Sequence, residues 1–173
     1  TYFFFDRLRP IAHTDVWGHL SYGRLLWETG TLPTTEPLMP LSHGVPFLNS
    51  AWLTQLIAYG GYQVIGKAAI TFLFAFCVAA AFAAVTRRIY NRTHSAMFAL
   101  GGFALTMWVE YQQVIVHRPQ IVGFLFYSVL LSILLRREWS NKNWIVVPAM
   151  FALWANMHGS FVVGLGLLGC FII

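Results

Sequence analysis

The chain has 173 residues, of which 58% are hydrophobic and only 10% carry charge, and its mean hydropathy is +0.63. Soluble domains carry roughly 25% charged residues, so this composition excludes an ordinary soluble domain and predicts an integral membrane protein. The net charge of +5 predicts basic loops beside a membrane and no nucleic-acid partner, because no basic stripe is interleaved with exposed aromatic residues.

Segment 1–49 is predicted to be a polar and aromatic loop on the exoplasmic side of the membrane. Its first five residues, Thr-Tyr-Phe-Phe-Phe, are typical of the end of an earlier crossing, which predicts that the chain is a piece of a longer protein. From Val16 to Trp27 the apolar spacing predicts a short amphipathic helix with Asp15 at its N-terminal cap. Four prolines keep the rest of the loop irregular: Pro33, Pro37, Pro40 and Pro46.

Segment 50–66 is predicted to be a helix that lies in the membrane plane. Only Lys67 separates it from the next apolar segment, which leaves no room for a turn between two crossings. Its apolar residues fall along one face at helical spacing, with Gln55 and Gln63 elsewhere. The residues of that face are Trp52, Leu53, Leu56, Ile57 and Val64.

Residues 67–173 are predicted to hold the membrane crossings. A bilayer core about 30 Å thick needs about 20 apolar residues per helix, and segment 68–86 carries no charge at all. The last apolar stretch, residues 143–173, is too long for one crossing of the bilayer, so we divide it at His158. The predicted fold is an all-α, polytopic transmembrane bundle with helices at about 68–86, 95–110, 119–136, 143–157 and 159–173.

The orientation follows from the basic residues, which cluster in two connections that should be cytoplasmic. Counting helices from these connections places segment 1–49, the connection after Glu110 and the turn at His158 on the exoplasmic side. The two clusters are Arg87, Arg88 and Arg92, and Arg136, Arg137 and Lys142.

Several motifs in the exoplasmic loop occur in a characteristic order. They are Asp15, Trp17-Gly-His19-Leu, Gly30-Thr-Leu-Pro33 and Asn49-Ser-Ala-Trp52-Leu. This order resembles the first exoplasmic loop of polyprenyl-phosphate-sugar-dependent glycosyltransferases of the multi-spanning C-type fold, which include protein O-mannosyltransferases and lipid A aminoarabinose transferases. The resemblance covers roughly residues 13–66, and His117-Arg118-Pro119-Gln120 and the turn around His158 are similar to bacterial members. The chain departs from the family in having no second acid beside Asp15 and fewer crossings.

The resemblance implies a multi-pass protein of the bacterial inner membrane that transfers a sugar from a polyprenyl phosphate to an exoplasmic acceptor. Such a transfer needs a carboxylate base for the acceptor and positive charge or a metal ion for the leaving phosphate. Asp15 is the leading base candidate, and Glu110 is the second acid. The substrate-binding candidates are His19, Trp52, His117, Arg118 and His158.

Each candidate also has a structural interpretation. Asp15 could only cap its helix, Glu110 could mark a helix end, and Arg118 could reach a lipid headgroup. Trp52 fits the aromatic belt of a membrane interface. A divalent metal ion is a candidate cofactor, although the spacing of His13 and His19 is not a recognised ligand pattern.

Two function classes remain open. The first is a glycosyltransferase, or the N-terminal portion of one, with lipids and a lipid-linked sugar as partners. The second is a non-catalytic subunit that retains the glycosyltransferase-like scaffold and packs against other membrane subunits. A transporter is less favoured, because no ionisable residue lies in the middle of a predicted crossing.

Overall fold

The computed structural model describes residues 14–111, 118, 120–136 and 138–172, and these ranges fold mainly into helices. Within them there is no β-strand, and an isolated bridge pairs Thr35 with Pro46. The predicted all-α fold is therefore confirmed for the described part of the chain. Its helices are α1 (Thr14–Thr29), α2 (Trp52–Ile65), α3 (Lys67–Thr93), α4 (Ala96–Val109), α5 (Gln120–Leu134), α6 (Asn143–Met157) and α7 (Phe161–Ile172), with a 3-10 turn at Pro40–Ser42.

Helix α3 is the one described helix that is long and apolar enough to cross a membrane, judged by its length and composition. Its 27 residues span about 40 Å at 1.5 Å per residue. The helices α4 to α7 have 12 to 15 residues, or about 18–22 Å, which is less than a hydrocarbon core of about 30 Å. Crossings by these shorter helices remain a prediction.

Helices α3 and α5 form the centre of the fold. Ala81 of α3 is completely buried, and this small side chain allows the helices to approach closely. The Ser132 hydroxyl of α5 lies 3.1 Å from the Ala84 carbonyl oxygen of α3 and 2.8 Å from the Ser128 carbonyl oxygen of its own helix, so its one proton is shared between the two acceptors. The apolar core between them consists of Phe74, Cys77, Val78 and Phe82 from α3 and Ile121 and Val122 from α5.

A second core joins α5 to α6 and α7 around Trp154, whose side chain is completely buried. The indole ring stacks on Phe126 of α5 and Phe151 of α6, with ring centroids 5.6 and 5.7 Å apart. Gly164 of α7 lies directly against this ring, and a side chain at that position would meet it. The glycine therefore allows α7 to pack over the tryptophan.

The turn between α2 and α3 consists of Gly66 alone, which corrects the expectation that no turn could fit beside Lys67. Gly66 has φ +63° and ψ −145°, a conformation that residues with a side chain rarely adopt, and so it ends α2 and allows α3 to begin at the next residue. Of the predicted apolar face of α2, Ile57 and Val64 are exposed, whereas Trp52, Leu53 and Leu56 are partly buried. Its placement in the membrane plane stays a prediction.

The proline-rich loop is held against α1 by the buried pair Tyr22 and Glu36. The Tyr22 hydroxyl donates to Glu36 Oε1 at 2.6 Å, and the backbone N–H groups of Leu38 and Met39 donate to the same oxygen. Burial raises the pKa of Tyr22 well above its usual value, and the Glu36 carboxylate raises it further. Stacking of Tyr22 on Phe47 closes the loop.

Candidate functional site

The candidate site begins with an ion pair between Asp15 and Arg118. Asp15 lies in the first turn of α1 rather than at its cap, where a carboxylate is stabilised by the helix dipole. Arg118 precedes α5, and its Nε lies 3.3 Å from Asp15 Oδ2. The side chains are 47% exposed for Asp15 and 40% for Arg118, so the pair stabilises the fold by about 1 kcal/mol at most. Its main effect is to hold two opposite, accessible charges together.

One turn along α1, a chain of hydrogen bonds orients His19. The Ala51 N–H donates to Asn49 Oδ1 at 3.2 Å, which directs Asn49 Nδ2 toward Gln55 Oε1 at 2.6 Å. The amide nitrogen of Gln55 then lies 2.9 Å from His19 Nδ1. Because Gln55 donates in this arrangement, Nδ1 accepts and the ring proton of neutral His19 lies on Nε2.

The environment of His19 favours its neutral form. Burial lowers the pKa of His19 below 6.5, the Asp15 carboxylate opposes that effect, and His158 adds to the lowering when it is protonated. His19 is therefore an uncharged donor at neutral pH. A neutral imidazole beside the Asp15–Arg118 pair can donate to a substrate oxygen without adding charge.

Gly23 explains how α1 and α2 come close enough for the contact between His19 and Gln55. A side-chain carbon at Gly23 would overlap the backbone carbonyl of Gln55 and lie 2.9 Å from Tyr59 Cβ. The absence of a side chain therefore lets α1 lie directly on the backbone of α2. Gly18, on the same helix, has open space around it.

The C-terminal end of α6 is anchored to the N-terminal part of α2. Trp52 Nε1 donates to Asn156 Oδ1 at 2.8 Å, and the buried Thr54 hydroxyl donates to the Met157 carbonyl at 2.8 Å. Trp52 thus connects two elements of the site. A membrane-interface role for its ring remains compatible with this bond.

His158 is oriented by Ser160 in the turn that follows α6. The Ser160 N–H donates to His158 Nδ1 at 3.1 Å, and the Ser160 hydroxyl lies 2.8 Å from the same nitrogen. Trp154 Nε1 donates to that hydroxyl at 3.0 Å, so the hydroxyl proton is free to point to Nδ1. Burial lowers the pKa of His158, and the imidazole is neutral with its proton on Nε2.

Two neighbouring cavities open beside these residues, and Ile121 lines both. The smaller one, about 50 Å³, is apolar except for His19, Thr54 and Arg118. The larger one, about 530 Å³, has the size of a small-molecule site. Its polar lining consists of Glu110, Gln120, Tyr127, Trp154, His158 and Ser160.

The sequence-predicted residues therefore fall into two adjoining groups. Asp15, His19 and Arg118 lie together, while Glu110 and His158 line the larger cavity. His13 and His117 lie outside the described residues. Within the described ranges, no three His, Cys, Asp or Glu side chains are grouped to hold a metal ion, so no metal site emerges from the histidines that remain.

Sequence reasoning missed Gln55 and Ser160, which orient the two histidines. The sequence places Gln55 off the apolar face of α2, yet its side chain is buried, with 3% of the residue exposed. The signal for Ser160 was present, since a serine two residues after a histidine in a turn can bond to its ring. In comparisons with protein-family models, curated proteins and solved structures, nothing matches this chain.

Proposed function

We propose that this chain is part of a multi-pass membrane glycosyltransferase that moves a sugar from a polyprenyl phosphate to an acceptor hydroxyl. The observation that carries the proposal is the accessible Asp15–Arg118 pair beside neutral His19. A carboxylate can take a proton from an acceptor, and a guanidinium can bind a phosphate. Both groups are needed within one site, and here they lie 3.3 Å apart.

In the proposed reaction, Asp15 accepts the proton of the acceptor hydroxyl as its oxygen attacks the anomeric carbon of the sugar. The bond from that carbon to the phosphate oxygen breaks, and the electron pair leaves with the phosphate. Arg118 stabilises the negative charge on that phosphate. His19 donates its Nε2 proton in a hydrogen bond to a substrate oxygen.

The larger cavity is the proposed place of the sugar. It adjoins the smaller cavity at Ile121, and Gln120 follows Arg118 closely in the chain. Glu110, His158 and Ser160 offer acceptors and donors for sugar hydroxyls, and Tyr127 and Phe124 offer aromatic surface. This division gives the phosphate and the sugar separate sets of partners.

The second candidate function is a non-catalytic subunit, and an exposed apolar surface of the protein is compatible with it. Helix α4 exposes large apolar side chains, including Met97 at 73% and Trp108 at 78%. Such a surface suits contact with lipid or with a neighbouring membrane subunit. Both candidates agree with this surface, and the transfer reaction distinguishes them.

The test is sugar transfer by the whole protein in vesicles supplied with a polyprenyl-phosphate sugar. We expect Asp15→Asn to lower kcat about 100-fold or more, and Arg118→Gln to raise the KM for the donor while Arg118→Lys raises it less. Glu28→Gln is the matched control, because Glu28 forms an exposed ion pair with Arg24 on the same helix. Wild-type transfer by Asp15→Asn would refute Asp15 as the base and point to Glu110, whereas no transfer by the wild-type protein would favour the non-catalytic subunit.

A further inference from the structure

A second charged site lies at the end of α3 that is remote from Asp15. A cavity of about 450 Å³ between α3 and α5 is lined by two neighbouring arginines of α3 and one that follows α5. Its complete lining is Ala84, Arg87, Arg88, Asn91, Ser132 and Arg136. The proposed transfer chemistry does not use it.

The arginines of this cavity have no negative counterpart within the described ranges. No carboxylate there pairs with Arg87, Arg88 or Arg136, and Arg88 Nε is buried without a hydrogen-bond partner in the same ranges. Arg88 also experiences the like charges of Arg136 and Arg92. A buried donor without an acceptor and several clustered cations are each unfavourable, so this arrangement calls for an anion.

Arg92 differs from the other cations of the cluster because it already has a hydrogen-bond partner. Its Nη1 donates to the Leu135 carbonyl oxygen at 2.8 Å and holds the C-terminal end of α5 against α3. This hydrogen bond therefore holds α3 and the end of α5, which form two sides of the cavity, in place. The guanidinium groups of Arg87, Arg88 and Arg136 and the amide of Asn91 provide its donors.

The position of the cavity identifies the depth at which its ligand would lie. From Ile70, beside the Asp15 site, to Arg88 is 18 residues, or about 27 Å along α3. This is close to the thickness of a hydrocarbon core, about 30 Å. The Asp15 site and the basic cavity thus lie at levels that correspond to the two headgroup layers.

We propose that this cavity binds a phosphate group, as an anionic phospholipid presents it in the membrane layer opposite the Asp15 site. Guanidinium groups match phosphate geometry and are weakly hydrated, which suits a partly buried site. Basic pockets between membrane helices are a general form of headgroup site. The cavity volume also lies within the range of small-molecule sites.

The test compares thermal unfolding of delipidated whole protein with and without phosphatidylglycerol or phosphatidylcholine in the micelles. We expect phosphatidylglycerol, but not phosphatidylcholine, to stabilise the wild type. In Arg88→Gln and Arg136→Gln its apparent affinity should fall about tenfold, equivalent to 1.4 kcal/mol. Lys142→Gln, which removes an exposed cation at the same end outside the cavity, should respond like the wild type.

Two further readouts separate the proposal from its alternatives. Without anionic lipid, Arg88→Gln should be at least as stable as the wild type, because it removes like-charge repulsion; with the lipid, the order should reverse. Inorganic phosphate, compared with chloride at equal ionic strength, tests whether the free ion binds. Stabilisation by inorganic phosphate but not by phosphatidylglycerol would identify a free-phosphate site and overturn the lipid assignment. Equal responses of wild type and both cavity variants, or no response to either phosphate source, would overturn the proposal.

Discussion

Replacing Gly23 by alanine should force α1 away from α2, and Gly18 on the same helix provides the matched control. The added carbon at Gly23 would overlap the carbonyl of Gln55, whereas at Gly18 it would meet nothing within 4 Å. Both substitutions gain up to about 1 kcal/mol from the helix preference of alanine. Only Gly23→Ala has the overpacking penalty, which is about 1–3 kcal/mol.

The difference in stability between the two variants therefore isolates the packing of α1 on α2. We expect the upper part of that range, about 2–3 kcal/mol, because a backbone carbonyl cannot rotate away as a side chain can. At about 2–4 °C per kcal/mol, thermal unfolding of purified protein should separate the variants by about 4–12 °C, with Gly18→Ala the more stable. Equal midpoints, or a higher midpoint for Gly23→Ala, would refute the described contact.

Two other predictions concern pH and topology. The lowered pKa values of His19 and His158 mean that the unfolded chain binds more protons just below pH 6.5, so stability should fall as the pH drops through that region. Unfolding midpoints at pH 7.5 and 5.5 measure this loss of stability. His158→Gln should reduce the difference between the two midpoints, and the exposed His94→Asn should not. A midpoint that does not depend on pH would contradict the burial of both rings. Single cysteines at Asn91 and Ser140, in a protein without its native cysteines, should react only with reagents on the cytoplasmic side, and labelling from outside would overturn the topology.

The helices could be predicted from the sequence because long uncharged apolar runs form most of their length. The predicted crossing at 143–157 coincides with α6, Asn143–Met157. The predicted crossing at 68–86 is shorter than α3, which continues through the arginines to Thr93. Arginine is a good helix former, so the charges end an apolar run without ending the helix.

The site could be predicted only in part, since its contacts join residues that are distant in the sequence. The sequence indicates Asp15 and Arg118 as separate candidates, but no local pattern shows that they form a pair. The buried role of Gln55 depends on Gly23, because only the close approach of α1 turns a polar residue of α2 into an interior one. The turn at Gly66 could not be predicted either, because a turn of one residue hardly changes the local composition.

The most direct test of the proposed chemistry is the rate of sugar transfer by a charge-swapped protein, Asp15→Lys combined with Arg118→Glu. The swap keeps an ion pair, and that pair contributes about 1 kcal/mol at most to the free energy of unfolding. The unfolding midpoint should therefore stay within about 4 °C of the wild type. The transfer rate should fall at least about 100-fold, because the base and the phosphate-binding cation have exchanged places. Transfer at the wild-type rate by the swapped protein would contradict the account.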